Sequence, residues 1–285
     1  MIKFTQIQMN IRGVVFDMDG VLRIGSKPID GVNDTFEFLR KRGIKYMIST
    51  NECRYTPDEL RDELQEMGIE ISEDVLIYTA GLSARDYLQS KIDRFPNETF
   101  SFGVVGGSGL YRVLNQLTEN EGCSMVDLPP KYQTRLYLVI GSVDKIKISS
   151  LEKIRQWIQA GAKIITTCCD MSDPSSKGDF CLGMPSHMLH MVSYNTAVHH
   201  SKSYSTGKPH PMHRKNILNH LKCDPSEILF VGDTLYTDIK LAEESGFKSA
   251  LVLTGNTKKD GYNNNNSVIE SDYVIDSIRD LPSIF

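Results

Sequence analysis

The stretch Val14–Leu22, VVFDMDGVL, carries an apolar, strand-like run straight into two aspartates, Asp17 and Asp19. A buried carboxylate is costly unless it is paired with a charge or bound to a metal. In an extended segment, residues two apart point the same way, so Asp17 and Asp19 share a face. Two carboxylates that close repel unless one is protonated or a cation lies between them. Gly20 then allows the chain to turn away sharply.

Outward from this stretch, short apolar runs alternate with helical patterns. GVVF (13–16) and IKYMIS (44–49) read as strands, with a helix between them from about Gly31 to Arg42 that stops at Gly43. Thr56-Pro57-Asp58-Glu59 supplies an N-cap, a proline at the first helical position and a glutamate at the third, and the helix it opens runs to Met67. After Pro96 the alternation restarts with TFSFGVV, LYRVLNQL, RLYLVIG, LEKIRQWIQAG and AKIITTC, then a helix near His187–Asn195. The polar stretch HHSKSYSTGKPHP reads as a connection, after which MHRKNILNHL, EILFVGD, TDIKLAEESG and SALVLTG resume the pattern. Such alternation predicts parallel sheets covered on both faces, with ligand sites beyond the carboxyl ends of the strands. Asp17 follows GVVF, Thr50 follows YMIS and Asp233 follows LFVG, so the distinctive polar residues fall in those places.

The bulk numbers narrow the class. The 285 residues carry a net charge of −4 and are 40% hydrophobic, which fits an ordinary globular chain of two domains and gives no electrostatic footprint for nucleic acid. No run approaches the ~20 apolar residues of a membrane span. The N-terminus lacks the apolar core of a secretion signal, so the expected location is cytoplasmic. The six cysteines form no C-x-x-C pair, which argues for free thiols.

GDTLYTDI places Asp233 and Asp238 five residues apart across a strand-to-helix turn. An oxygen-rich set built with Asp17 suits magnesium, which takes carboxylates, a carbonyl and waters. Thr50 and Asn51 can donate hydrogen bonds to phosphate oxygens, and Lys208 in TGKPHP can offset phosphoryl charge. A nucleophile, an acid/base, a metal and charge-compensating donors are the requirements of phosphoryl transfer.

DMDGVL, STNE, GKPHP and GDTLYTDI together resemble, over essentially the whole chain, the four motifs of the haloacid dehalogenase superfamily. The resemblance is to its phosphatases with a large α/β cap inserted between the second and third motifs, the NagD-type and 4-nitrophenylphosphatase-like enzymes. It implies a Rossmann-like parallel-sheet core from residues 1–84 and 203–285 and an inserted α/β cap from 85–202. It further implies Asp17 as nucleophile, Asp19 as acid/base, and Mg2+ held by Asp17, the backbone carbonyl of Asp19 and Asp233, with Asp238 nearby. Thr50, Asn51 and Lys208 would grip the phosphoryl group. The implied activity is hydrolysis of small phosphate monoesters through an aspartyl-phosphate. The substrate is left open among pyridoxal phosphate, phosphoglycolate, sugar phosphates and nucleotides, and a homodimer through the cap is implied.

Two departures from the pattern stand out. Glu52 replaces the second asparagine of T-N-N, adding negative charge, and TCCD (167–170) stands where T-N-P-D is usual, in a cap loop that bears on specificity. A non-enzymatic binding or regulatory protein of the same fold is the alternative; its mark would be a missing nucleophile, acid or lysine, and all are present. VVGGSGLYRVL (104–114), with Asp127 beyond it, imitates a dinucleotide fingerprint, but Arg112 occupies the place of the third glycine. The pairs His187/His190 and His210/His213 lack the third ligand that zinc needs and read as packing residues. Ile154, Trp157 and Ile158 are spaced as a helix core face.

Overall fold

The computed structural model describes residues 10–131, 134–168, 184–194, 203–259 and 269–285. They form two compact units, one from Met1–Ile48, Leu64–Leu76 and Arg214–Phe285, the other from Ser49–Glu63 and Ile77–His213.

In chain order, strand β1 (Gly13–Phe16) leads through a short hairpin, β2 (Arg23–Ile24) and β3 (Lys27–Pro28), to helix α1 (Val32–Lys41). Strand β4 (Lys45–Thr50), helix α2 (Pro57–Glu66), strand β5 (Ile77–Thr79) and helix α3 (Ala80–Arg94) follow. The next series is β6 (Phe100–Val105), α4 (Ser108–Asn115), β7 (Cys123–Met125), β8 (Arg135–Ile140), α5 (Ile148–Gln159), β9 (Lys163–Thr166), α6 (Pro185–Tyr194) and β10 (Ser203–Ser205). Helix α7 (Pro211–Leu221), β11 (Ile228–Gly232), α8 (Lys240–Ser245), β12 (Lys248–Val252) and β13 (Tyr273–Ile275) complete it.

The first unit is built on parallel strands in the order β13-β12-β11-β1-β4. Both faces are covered, which is why GVVF and ILFVG are continuous apolar runs with every residue buried. Helix α1 turns Val32, Phe36 and Leu39 inward, and the Phe36 ring stacks on Tyr46 at 4.5 Å. Gly43, at φ 65°, ends that segment in the left-handed region a side chain would disfavour. The registers Phe16↔Val231 and Phe16↔Ile48 bring the carboxyl ends of β1, β11 and β4 level, so Asp17 lies one residue beyond its last paired position and Asp233 two beyond its own.

The second unit has its own parallel sheet, β10-β9-β8-β6-β7. One face packs Tyr87, Leu88, Phe100, Phe102 and Leu110; the other packs Leu138, Ile140, Ile154, Trp157 and Met188. A side chain on Gly103 would run into the Trp157 ring, whose indole N–H donates to the Asp127 carbonyl at 3.1 Å. Thr56 and Glu59 cap α2 reciprocally, through Thr56 N–H to Glu59 Oε2 at 2.8 Å and Glu59 N–H to Thr56 Oγ1 at 3.3 Å.

Two segments differ from the sequence reading. The stretch HHSKSYSTGKPHP contains the edge strand β10, which three residues without periodicity do not announce. TDIKLAEESG does not enter a regular helix at once: Leu235–Ile239 forms a wide π-type turn before α8.

Candidate active site

The acidic set lies in the first unit. Asp17 ends β1, donating its N–H to the Val231 carbonyl at 2.9 Å, and is buried. Asp233 and Asp238 are also buried, and each of the three carboxylates offers an oxygen within 4.8 Å of the others. Backbone crowding fixes them. A Cβ on Gly255 or on Gly20 would run into the Asp233 carboxylate, and one on Gly232 into Asp238. Asp233 Oδ2 accepts the Asn256 N–H at 2.5 Å and Oδ1 accepts the Thr234 hydroxyl at 2.8 Å. Asp238 Oδ2 accepts the N–H groups of both Asp233 and Thr234 at 3.1 Å. This backward reach accounts for the wide turn at Leu235–Ile239. The three carboxylates make an all-oxygen donor set, which suits a hard divalent ion.

Asp19 stands apart from this cluster. Its Oδ1 accepts the Nε–H of Arg23 at 2.9 Å, within a turn where Gly20 (φ 88°) donates its N–H to the Arg23 carbonyl at 2.7 Å. Thr254 Oγ1 clamps the same turn by donating to the Gly20 carbonyl at 2.5 Å.

The hydrogen-bond donors belong to the second unit. Thr50, 2% exposed, accepts the Glu52 N–H at 3.0 Å, which uses an oxygen lone pair and spares the hydroxyl proton for donation. Asn51 Oδ1 accepts the Lys208 backbone N–H at 2.8 Å, which leaves its amide NH2 as its donor group. Lys208 is 1% exposed, an uncommon place for an ammonium group. Gly207 is required beside it, because a Cβ there would meet the Thr167 carbonyl and Asn51 Oδ1. His213 is fully buried, with Nδ1 2.9 Å from Ser49 Oγ and its ring edge-on to Tyr78. Burial, then the nearby Lys208 charge, hold its pKa well below the ordinary imidazole value. Burial likewise pushes the Cys53 thiol up to about 11, so it is no thiolate nucleophile.

Glu52, the departure from T-N-N, is occupied locally. Its Oε1 accepts the N–H groups of Cys53 (2.8 Å) and Arg54 (2.6 Å), while the Arg54 guanidinium meets Oε2 at 2.5 Å. Arg54 continues to Asp144 at 2.7 Å. The added carboxylate is therefore neutralised by its neighbour. The glycine-rich turn at 106–109 is likewise filled by protein. Side chains at Gly107 and Gly109 would run into the backbone of Arg54 and Tyr55, and Arg112 pairs with Glu59. The loop from Asp170 to Pro174, with Cys169 before it, lies outside the described residues.

Sequence reading missed Arg23, Thr254 and Asn256. The opposite charge four residues after Asp19 was the available signal for Arg23. For the other two, it was the TGN loop at the carboxyl end of β12.

Family comparison supports this assembly of motifs. A family model described as haloacid dehalogenase-like hydrolase matches residues 14–118, and a HAD-hydrolase-like model matches 205–281. An acid sugar phosphatase of Staphylococcus aureus is 29% identical over 258 residues, covering 89% of this chain and 91% of its own. The fold matches a 4-nitrophenylphosphatase from Thermotoga maritima at a TM-score of 0.80 and 22% identity, covering 96% of this chain and 97% of that one. NagD from E. coli matches at 0.75 and 22%, covering 94% and 97%. With Asp17 and Asp19 inside one matched segment and Lys208, Asp233 and Asp238 inside the other, the chain belongs to the haloacid dehalogenase-like hydrolases.

Proposed function

We propose that this hydrolase is a magnesium-dependent phosphatase that cleaves phosphate monoesters of small metabolites through a phosphorylated Asp17. The observation that carries the reading is the buried cluster of Asp17, Asp233 and Asp238 at the carboxyl ends of β1 and β11. A relative named acid sugar phosphatase and a fold neighbour named 4-nitrophenylphosphatase agree with it. Sugar phosphates are accordingly the first substrates to test.

Asp17, Asp233 and the Asp19 backbone carbonyl would hold the metal, with Asp238 within reach. When bound, a divalent cation neutralises charge on the phosphoryl oxygens. The chain's own residues do the rest. An Asp17 oxygen bonds to phosphorus while the ester P–O bond breaks, and Asp19 gives its proton to the departing alkoxide oxygen. Asp19, now a carboxylate, takes a proton from water as that water attacks phosphorus. The bond from phosphorus to Asp17 then breaks, releasing inorganic phosphate and returning both aspartates to their starting state. The Thr50 hydroxyl, the Asn51 amide and the Lys208 ammonium would be the donors to the phosphoryl oxygens.

Phosphate release from a panel of sugar phosphates and 4-nitrophenyl phosphate tests the reading. Release that stops when magnesium is chelated and resumes on its return is the expected result. A folded protein that releases phosphate from none of them, with magnesium present, overturns it in favour of the non-enzymatic binding role.

A further inference from the structure

The pair formed by Arg23 and Asp19 is not explained by metal or phosphate binding. Arg23 is 4% exposed, and its Nε–H reaches back four residues to Asp19 Oδ1 at 2.9 Å. Burying a guanidinium for stability alone is a poor bargain, because an apolar residue of similar size usually does as well or better. The local backbone is also unusually determined. The Met18 carbonyl receives the N–H groups of Leu22 (2.9 Å) and Arg23 (3.2 Å), and the Arg23 carbonyl receives that of Gly20. Met18, Val21 and Leu22 are fully buried around the turn, and Arg23 itself begins the β2–β3 hairpin. Both ends of the Arg23–Asp19 hydrogen bond thus stand on fixed backbone.

We propose that Arg23 is the positioning residue for the acid/base Asp19, fixing Oδ1 so that the catalytic proton moves at Oδ2. This rests on the phosphatase reading and adds to it a residue that never touches substrate. The chemical consequence is specific. An ester whose leaving group is already a good anion needs little protonation as it departs, whereas a poor leaving group needs a well-aimed acid. Loss of the aim should therefore steepen the dependence on leaving-group acidity and leave phosphoryl binding intact.

Phenyl phosphate and 4-nitrophenyl phosphate have nearly the same shape and differ in leaving-group acidity, so the ratio of their kcat/KM values isolates this effect. That parameter reports steps only through phosphoryl transfer to Asp17. In Arg23→Met the ratio for phenyl over 4-nitrophenyl phosphate is expected to fall about ten- to a hundredfold. Arg23→Lys should recover part of it, since an ammonium can still donate to Asp19. In an Asp19→Asn background, Arg23→Lys should leave the ratio where Asp19→Asn alone sets it. Equal losses on both esters, or a further fall in the Asp19→Asn background, would overturn the positioning role. Wild type inactive on both esters would instead sink the phosphatase reading beneath it. Should Arg23→Met fail to fold, the Arg23→Lys comparison in the two backgrounds decides the question.

Discussion

Asn51 Oδ1 accepts the backbone N–H of Lys208 at 2.8 Å, joining residues 157 positions apart in sequence. The second and third motifs are thereby one structural object, and the loop that carries the buried lysine is held by the residue proposed to share its ligand. Asn51→Ala should lower stability by about 1 kcal/mol, the usual net worth of such a bond, and raise KM for a phosphate ester about tenfold. Thermal melts and steady-state kinetics on the same preparation check both. A change in neither would show that Lys208 is positioned by other contacts.

Asp238 spends one oxygen on the N–H groups of Asp233 and Thr234, so it shapes the loop that presents Asp233. Asp238→Asn should weaken magnesium binding about ten- to a hundredfold, the range seen when a partner that orients a metal ligand is lost. The measurement is the midpoint of a magnesium titration followed by melting temperature, which needs no turnover. An unchanged midpoint would remove Asp238 from the metal centre.

Glu52 is a local tie, so its removal should cost stability more than catalysis. Glu52→Ala strips two backbone N–H groups and the Arg54 guanidinium of their acceptor. The expected loss is about 1–3 kcal/mol by urea unfolding. Improved turnover at unchanged stability would restore the idea that its charge acts on the bound phosphate.

His213 gives stability a pH dependence of definite sign. Its folded-state pKa lies well below 6.5, so the native imidazole stays neutral while the unfolded one takes up a proton. Well above pH 6.5 neither state is protonated and the residue contributes no slope. As pH falls below 6.5 the unfolded chain binds more protons, and stability drops by up to about 1.4 kcal/mol per pH unit until the folded value is reached. His210 and His220 shift in the same direction through burial. Urea unfolding of wild type and His213→Gln at several values between about pH 5 and 7.5 isolates the His213 share. The gap between the two should narrow or invert as the solution is acidified; a constant gap would contradict it.

Much of this was legible because its physics is local. Apolar runs such as GVVF and ILFVG declare buried parallel strands, Thr56 through Glu59 declare a helix start, and Asp17, Thr50 and Asp233 sit where strands must end. The two-residue strands β2 and β3 and the three-residue β10 are too short for any period to appear. The roles of Glu52 and Arg23 depend on which neighbour a charged side chain finds, and sequence distance alone does not decide that. The glycines at 107 and 109 show the same limit. Their spacing suggests a phosphate loop, but the space is taken by the backbone of Arg54 and Tyr55.

The most direct test of the central claim is to mix the enzyme and magnesium with a phosphate ester carrying radiolabelled phosphorus, quench in acid within the first turnover, and look for label on the protein. A phosphorylated Asp17 predicts label on wild type that hydroxylamine releases, and none on Asp17→Asn, which should also turn nothing over. Sustained turnover by Asp17→Asn, or wild-type turnover with no trapped label, would contradict the account.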